Sequence, residues 1–238
     1  MKWKNYTKDS NKYFMKIVVL GGTGILGNEM KKNDENLLTY GSDLDITKPE
    51  LLLMKLDELN PDVIINCAAI KSESVDLDPL KSLDLNIIGS VNIAKYCIER
   101  NKRLVYISTD YVYPGIKGNY KEEDSLLPTN NYAWTKLAGE VPVRFVKNHL
   151  IIRTSFGTTK FDYEIAYTNL FTSKDYVDII APKILKISKS NLIGIVNIGT
   201  ERKSIFDYAN KRNLVNPGKL PSLRDFSLNT KKFYEKEQ

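Results

Sequence analysis

Histidine and cysteine are scarce in this chain, which has one histidine, His149, and two cysteines, Cys67 and Cys97, among its 238 residues. So few of these side chains can build neither a Cys/His zinc site nor a disulfide framework. Cys67 ends an apolar run and Cys97 lies in a predicted helix, positions that suit buried, reduced thiols. We therefore expect no metal site and a cytoplasmic location.

Long apolar segments are also missing. No run approaches the roughly eighteen apolar residues that a membrane-spanning helix needs, so we expect no membrane partner. Residues 1–14 are polar and rich in lysine, and they lack the apolar core of a signal peptide. We expect this segment to form a flexible extension ahead of the first strand.

The chain carries a formal net charge of +6, but no basic patch of the kind that binds nucleic acid. Its lysines are scattered among acids, concentrate only at the two ends and accompany no DNA- or RNA-binding motif. A mild positive field favours an anionic small substrate such as a nucleotide or sugar nucleotide. We expect such a substrate and no nucleic-acid partner.

Apolar runs alternate with helical patterns along the chain. Strands are predicted over 16–20, 37–40, 62–66, 103–108, 150–153 and within 190–198. Helices are predicted over 24–32, from a Thr47–Glu50 capping box to 59, over 82–100, around 132–136 with a kink near Pro142, and over 204–211. This alternation predicts an α/β fold with a Rossmann-type, doubly wound parallel sheet at 15–152. Residues 153–238 are expected to form a small C-terminal lobe interleaved with the last strands.

The first strand runs directly into a glycine-rich turn. The turn consists of Gly21, Gly22, Thr23, Gly24, Ile25, Leu26 and Gly27. Glycines let the backbone approach a pyrophosphate closely, and a helix that starts at once turns its amino end towards that charge. Because the motif follows the first strand and opens the first helix, it predicts a dinucleotide cofactor.

The end of the second strand bears on the choice between NAD and NADP. An acid there would bind the ribose hydroxyls and repel a 2′-phosphate. The strand instead leads to Ser42, and the first carboxylate is that of Asp43. This pattern favours NADP(H) over NAD(H), although no arginine is present to bind the phosphate. Asp43 and Asp45 either face the adenine or cap the next helix.

A tyrosine and a lysine, Tyr132 and Lys136, are four residues apart and therefore share one helix face. A phenol has a pKa near 10 and is a poor acid-base group at neutral pH unless a cation lowers that pKa. The spacing alone is common by chance. It gains weight from the glycine turn and from Thr109, a hydroxyl residue at the end of the fourth strand.

With these motifs in this order, the chain resembles the extended short-chain dehydrogenase/reductase superfamily and, more narrowly, its dTDP-4-dehydrorhamnose reductase (RmlD-like) branch. The resemblance rests on the glycine turn, Asp43–Thr47, Pro61–Ala69, Ser108–Tyr113, Tyr132–Lys136 and Arg153–Ser155. It implies an NAD(P)H-dependent reductase of a nucleotide-linked 4-keto-6-deoxy sugar, which transfers hydride to C4.

The resemblance also implies roles for individual residues. Tyr132 would donate the proton, Lys136 would lower the pKa of Tyr132 and hold the nicotinamide ribose, and Thr109 would bond the substrate oxygen. Asn86 would support the proton relay, or is an ordinary buried helix residue. Further cofactor contacts are expected from Ser42, Asp43, Asp45, Cys67, Ala68, Ala69, Thr154 and Ser155. Substrate contacts are expected from Lys71, Asp110, Tyr111, Phe156 and Arg224.

One position separates the related chemistries. Sugar-nucleotide dehydratases carry an aspartate and a glutamate after the threonine, whereas here Asp110 is followed by Tyr111. Reduction is therefore favoured over dehydration. A sugar-nucleotide 4-epimerase and an NADP-binding regulatory subunit of the methionine adenosyltransferase type remain alternatives. The chain is some tens of residues shorter than its relatives after Phe156, which leaves the sugar, the nucleotide and a homodimer open.

Overall fold

The computed structural model describes residues 15–71 and 74–236, so the expected extension at 1–14 lies outside the described residues. Strands β1 to β13 cover Ile17–Leu20, Leu38–Tyr40, Val63–Asn66, Arg103–Thr109, His149–Thr154, Phe156–Gly157, Ile165–Tyr167, Leu170–Thr172, Asp175–Tyr176, Gly194–Ile198, Lys203–Ser204, Asn216–Gly218 and Arg224–Asp225. Helices α1 to α9 cover Ile25–Asn33, Pro49–Leu59, Ser74–Leu77, Pro79–Leu83, Gly89–Glu99, Asn131–Val143, Val177–Ser188, Ile205–Asn210 and Lys231–Glu235.

A parallel sheet of six strands forms the centre of the molecule, in the order β2-β1-β3-β4-β5-β10. The chain moves outwards from β1 to β2 and then crosses to β3 on the other side of β1. This reversal opens a crevice at the carboxyl ends of β1 and β3, where ligands bind in sheets of this kind. The predicted Rossmann-type α/β fold is confirmed.

Both faces of the sheet are covered, as the unbroken apolar strands require. Successive side chains of a strand point to opposite faces, so Val18 and Leu20 pack with α2, α5 and α6. Ile17 and Val19 pack on the other face with α1, α7 and α9. The strands are therefore held rigidly behind the edge that carries the candidate site residues.

Several helices differ from the sequence expectations, and the short helices α3 and α9 were not predicted. Helix α7 was not predicted, because Pro182 interrupts its apolar pattern although the helix continues through it. The Thr47 capping box is wrong, since the Thr47 hydroxyl donates to Asp45 at 2.8 Å and α2 begins at Pro49 without a side-chain cap. The helix expected over 82–100 is divided into α4, a π-helical turn at Asp84–Ile88, and α5.

After Thr154 the chain leaves the sheet and forms short strand pairs, β6 with β9, β7 with β12, and β8 with β11 and β13. Helix α7 and strand β10 interrupt this lobe and return to the central sheet. The lobe therefore lies beside the carboxyl ends of β4 and β5. Within the part of the chain that the structure describes, no helix has the length and apolar character needed to cross a membrane.

The turn after β1 requires glycine at its first position. Gly21 has φ +74°, and a Cβ atom there would lie 2.5 Å from the Ala68 backbone nitrogen. This close contact packs the turn against the end of β3. Gly194 offers a comparison, because its φ is +93° but a Cβ atom there would meet nothing within 4 Å.

We expect Gly21→Ala to destabilise the protein more than Gly194→Ala. Both variants place a side chain in the left-handed region, at a cost of about 1–3 kcal/mol, but only Gly21→Ala adds a clash with backbone that cannot move aside. Urea unfolding of the two variants measures the difference. Equal losses would show that the Gly21–Ala68 contact does not restrict the turn.

Candidate functional site

Strand β4 and helix α6 carry three of the four expected catalytic residues, Thr109, Tyr132 and Lys136. Strands β4 and β5 end side by side, with Thr109 opposite Thr154. Helix α6 begins next to them, and its N-cap Asn130 accepts a hydrogen bond from the Ala133 nitrogen at 2.8 Å. This start places Tyr132 in the first turn of the helix and Lys136 one turn later, on the face towards the two strands.

A cavity of about 260 Å³, here called the inner cavity, opens between these elements and the glycine turn. Its lining consists of Gly21, Gly24, Ile25, Leu26, Cys67, Ala69, Lys71, Ile107, Ser108, Thr109, Tyr111, Tyr132, Lys136, Thr154, Ser155, Phe156 and Lys174. The three expected catalytic residues on β4 and α6 thus face one space together with the glycine turn.

A second cavity of about 420 Å³, the outer cavity, lies on the other side of the glycine turn. It is lined by Gly21, Thr23, Gly24, Gly41, Ser42, Leu44, Asp45, Ile46, Cys67, Ala68, Ala69, Ile70, Lys81 and Leu85. The two cavities share residues of the turn and of the β3 end. Together they form a cleft that crosses the amino end of α1, the arrangement that an extended dinucleotide requires.

Two observations show that the cleft fits a dinucleotide. Helix α1 begins at Ile25 with no side-chain cap and no acid in its first turn, so the partial positive charge of its amino end is available to a pyrophosphate. Among the described residues, the Thr154 hydroxyl is a buried polar group without a hydrogen-bond partner, and Thr154 lines the inner cavity. The protein thus leaves one polar atom unsatisfied at the wall of the cavity.

Tyr132 is half-buried, and its pKa is raised, not lowered. Burial is the main cause and the charge of Asp110 adds to it, while hydrogen bonding with Thr109 opposes the shift. The expectation that Lys136 lowers this pKa is therefore wrong for this structure. A phenol with a raised pKa keeps its proton at neutral pH, which suits a proton donor.

Lys136 is only 2% exposed, and its ammonium lies 4.2 Å from the centre of the Tyr106 ring. Burial lowers the pKa of Lys136 to about 8, although Cys67 and Glu140 act in the opposite direction. The ring contact is a cation–π interaction that offsets part of the desolvation. Lys136 is thus a cation whose charge is lost slightly above neutral pH.

Asp110 lies directly behind Thr109, whose hydroxyl donates to it at 3.2 Å. Burial raises the pKa of the Asp110 carboxyl to about 7, while the charge of Lys174 opposes this. Burial in turn lowers the pKa of Lys174, and the nearby charge of Lys71 lowers it further. Two lysines therefore line the inner cavity, and the acid behind Thr109 is partly protonated at neutral pH.

Asn86 lies in the π-helical turn, where its side-chain amide bonds both backbone groups of Ile70 at 2.8 Å. The same amide donates to the Thr135 hydroxyl at 2.8 Å. Thr135 sits between the tyrosine and lysine of α6. Asn86 therefore ties the loop after β3 to α6 and lines neither cavity. π-Helical turns often occur at functional sites, and this one supports the site from behind.

Most of the residues expected to bind cofactor or substrate line the cleft. Those that do not are Gly22, Gly27, Asp43, Asn86, Asp110 and Arg224. Gly22 packs behind the turn against Thr39, Asp43 accepts from the Gly41 nitrogen at 2.6 Å, and Arg224 is exposed on β13. Two further lysines line the cleft that were not expected there: Lys174, just before β9, and Lys81 in α4. Within residues 15–71 and 74–236, no group of His, Cys, Asp and Glu side chains is arranged to hold a metal ion.

Comparison with known proteins identifies relatives of this chain. The dTDP-4-dehydrorhamnose reductase of Aggregatibacter actinomycetemcomitans is 30% identical over 180 residues, which are 71% of this chain and 61% of that protein. The chain therefore spans about six-tenths of the length of this relative. The methionine adenosyltransferase 2 subunit beta of Mus musculus is 33% identical over 141 residues, 54% of this chain and 42% of that protein.

Solved structures share the fold as well. The dTDP-4-dehydrorhamnose reductase from Bacillus anthracis str. Ames, solved in complex with NADP, superposes with a TM-score of 0.82 at 25% identity over 95% of this chain and 93% of that one. The family model of the RmlD substrate binding domain matches residues 15–186. Since that match covers well over half of the sequence, the chain belongs to the RmlD substrate binding domain family.

Proposed function

We propose that this protein is an NADP(H)-dependent reductase of a nucleotide-linked 4-keto-6-deoxy sugar. The observation that carries the proposal is the single inner cavity in which Thr109, Tyr132 and Lys136 face the glycine turn. A binding protein needs the turn but has no need of the other three side chains in one space. The name and 30% identity of the Aggregatibacter relative point to the same activity.

Reduction of the carbonyl group requires two contributions from the protein at the carbonyl oxygen, a hydrogen bond and a proton. A bound nicotinamide would supply hydride to the carbon. The Thr109 hydroxyl, which donates to Asp110 in this structure, would turn its one proton to the oxygen as negative charge develops. Tyr132 would give its phenolic proton, so that C=O becomes CH–OH. The raised pKa of Tyr132 keeps that proton in place before reaction. Lys136, which lines the same cavity, would hold the ribose hydroxyls of the cofactor and would supply positive charge when the phenolate forms.

The substrate side of the cavity suits an anionic molecule. Lys71 and Lys174 both line it, whereas Asp110, the acid beside them, stands behind Thr109 and has a pKa near neutrality. Tyr111 lies there too, with its ring edge-on to Phe226 at 5.0 Å between centres. Positive charge beside an aromatic wall matches a sugar that carries a nucleoside diphosphate.

We favour NADP(H) over NAD(H) as the cofactor. Asp43, the first acid after β2, accepts from the Gly41 nitrogen and does not line the outer cavity. Asp45 does line it, but its carboxylate accepts from the Thr47 nitrogen and hydroxyl. Ser42 and Lys81 line that cavity and place a hydroxyl and a positive charge near the adenosine end. The NADP complex of the Bacillus anthracis structure supports this preference.

A regulatory subunit is the second candidate function, and the similarity to the β subunit of methionine adenosyltransferase 2 favours it. Such a protein would bind NADP and a methionine adenosyltransferase without turning over a sugar. Comigration with a methionine adenosyltransferase catalytic subunit in gel filtration, together with inactivity towards keto sugars, would support it. The cytoplasmic location and the homodimer stay predictions.

The central prediction concerns turnover. The purified protein should oxidise NADPH when dTDP-4-dehydrorhamnose or a UDP- or GDP-linked 4-keto-6-deoxy sugar is added, as followed at the nicotinamide absorbance band. Tyr132→Phe should lower kcat by about a hundredfold or more, because general acid catalysis contributes about 10²–10⁴. Tyr163→Phe, at a tyrosine that is 73% exposed, is the control.

Full activity of Tyr132→Phe would exclude Tyr132 as the acid. Failure of all the keto sugars to oxidise NADPH would contradict the reductase itself. A 4-epimerase would show a third result, because it interconverts sugar nucleotides with no net oxidation of NADPH.

The pH dependence should report Lys136. Its pKa of about 8 means that the ammonium is present below pH 8 and is lost as the pH rises. Since kcat/KM reports ionisations of the free enzyme, kcat/KM for NADPH should be level below about pH 8 and fall above it. Lys136→Arg keeps its charge at these pH values, so its profile should lose the fall even if its rate is lower. An unchanged fall would assign the ionisation to another group.

Cofactor preference can be tested by binding alone. Fluorescence titration should give a lower Kd for NADPH than for NADH. Ser42→Asp should reverse the order, because a carboxylate there repels the 2′-phosphate and accepts bonds from the ribose hydroxyls. Ser222→Asp makes the same substitution at an exposed serine of the lobe that lines neither cavity, and it should leave the order unchanged. Tighter binding of NADH by the unaltered protein would overturn the preference.

A further inference from the structure

We propose that Glu140 and Arg153 act as a positioning pair that sets Thr109, helix α6 and Thr154 in their relative places for the reaction. This inference rests on the proposed function and concerns residues that do not touch the substrate. Neither residue lines the inner or the outer cavity.

The pair is fully buried and bonded at both ends. Each side chain is 1% exposed. The Arg153 guanidinium donates from Nε to one Glu140 oxygen at 3.0 Å and from Nη2 to the other at 2.8 Å. Ser108 donates its hydroxyl to the same carboxylate at 2.6 Å. A bidentate pair with a third donor fixes both direction and distance, which a single bond cannot do.

Each member of this group adjoins a residue of the site. Ser108 precedes Thr109 on β4, Arg153 precedes Thr154 on β5, and Glu140 lies one helical turn after Lys136 on α6. Neighbouring side chains on a strand point to opposite faces. The bonds of Ser108 and Arg153 therefore point to the sheet face that α6 covers, where Ser108 also lines the inner cavity, and three separate elements are joined at one carboxylate.

The same guanidinium also holds the loop beyond β4. Arg153 Nη1 donates to the Tyr113 hydroxyl at 3.0 Å and to the Glu122 carbonyl at 3.1 Å. The Tyr113 hydroxyl in turn donates to Asn197 on β10 at 3.0 Å. A shift of Arg153 would therefore move the segment that carries Tyr111 as well as the end of β5.

Charge links the pair to the site in a second way. The Glu140 carboxylate raises the pKa of Lys136 against the effect of burial. Removing one partner of a buried pair leaves the other charge uncompensated. Loss of the carboxylate charge should thus lower the pKa of Lys136 below its value of about 8 as well as loosen the three elements.

Arg103 provides a control of the same kind at the opposite end of β4. It too is buried, and it bonds the Ser188 carbonyl, Asn148 and the Leu192 carbonyl. Arg103→Met and Arg153→Met should both lower the melting temperature. Only the second change touches the group that adjoins the site, so only it should affect catalysis beyond the loss of stability.

The experiment compares Glu140→Gln, Arg153→Met and Arg103→Met with the unaltered protein below their melting temperatures. We expect Glu140→Gln and Arg153→Met to lower kcat by tenfold or more, up to about a hundredfold, with a small change in the KM for the sugar. Arg103→Met should change kcat less than about twofold. NMR titration of ¹³C-lysine-labelled protein, with Lys136→Arg to assign the signal, should show a lower Lys136 pKa in Glu140→Gln.

Equal losses of kcat in Arg103→Met and Arg153→Met would overturn the proposal, because they would show that the Glu140–Arg153 pair only stabilises the fold. Wild-type kcat and an unchanged Lys136 pKa in Glu140→Gln would do the same. If an arginine variant does not fold, Glu140→Gln, which keeps the size of the side chain, decides alone. The Lys136 titration needs no substrate, so a protein without reductase activity contradicts the proposed function while the titration still tests the pair.

Discussion

Parallel pairing of β4 with β5 is the constraint on which the rest of the site depends. The register places Thr109 opposite Thr154 at the edge where both strands end. Because the strands are buried on both faces, they cannot slip without exposing apolar side chains to water or burying polar ones. Helix α6 packs against this edge and adds Tyr132 and Lys136. The glycine turn enters from the neighbouring strand pair and completes the cleft.

Burial has opposite effects on the two helix residues that face this edge. It raises the pKa of Tyr132 and lowers the pKa of Lys136, so both neutral forms are favoured. The phenol therefore starts the reaction protonated. In the proposed reaction the Lys136 ammonium would matter most when the Tyr132 phenolate appears, since only then would it face an opposite charge.

The sequence predicted the sheet, the glycine turn and the Thr109, Tyr132 and Lys136 group, because each depends on local patterns. Unbroken apolar runs mark buried strands, and the spacing of glycines marks the turn. Helix α7 escaped prediction because Pro182 breaks its local pattern, while tertiary packing against the sheet stabilises the helix. Lys174 was not predicted at the site, because only the fold of the lobe brings this residue, just before β9, to the inner cavity. The pKa shift of Tyr132 depends on how deeply the phenol is buried, which spacing does not reveal.

The central claim is that hydride passes to the carbonyl carbon of a sugar nucleotide in the inner cavity. Transfer of deuterium from [4-²H]NADPH tests it most directly, with the product examined by mass spectrometry and NMR. We expect one deuterium at C4 of the reduced sugar when the cofactor is labelled on the face from which hydride is transferred. We expect none when the cofactor is labelled on the opposite face. A reduced sugar without deuterium from either cofactor, or no reduced sugar at all, would contradict it.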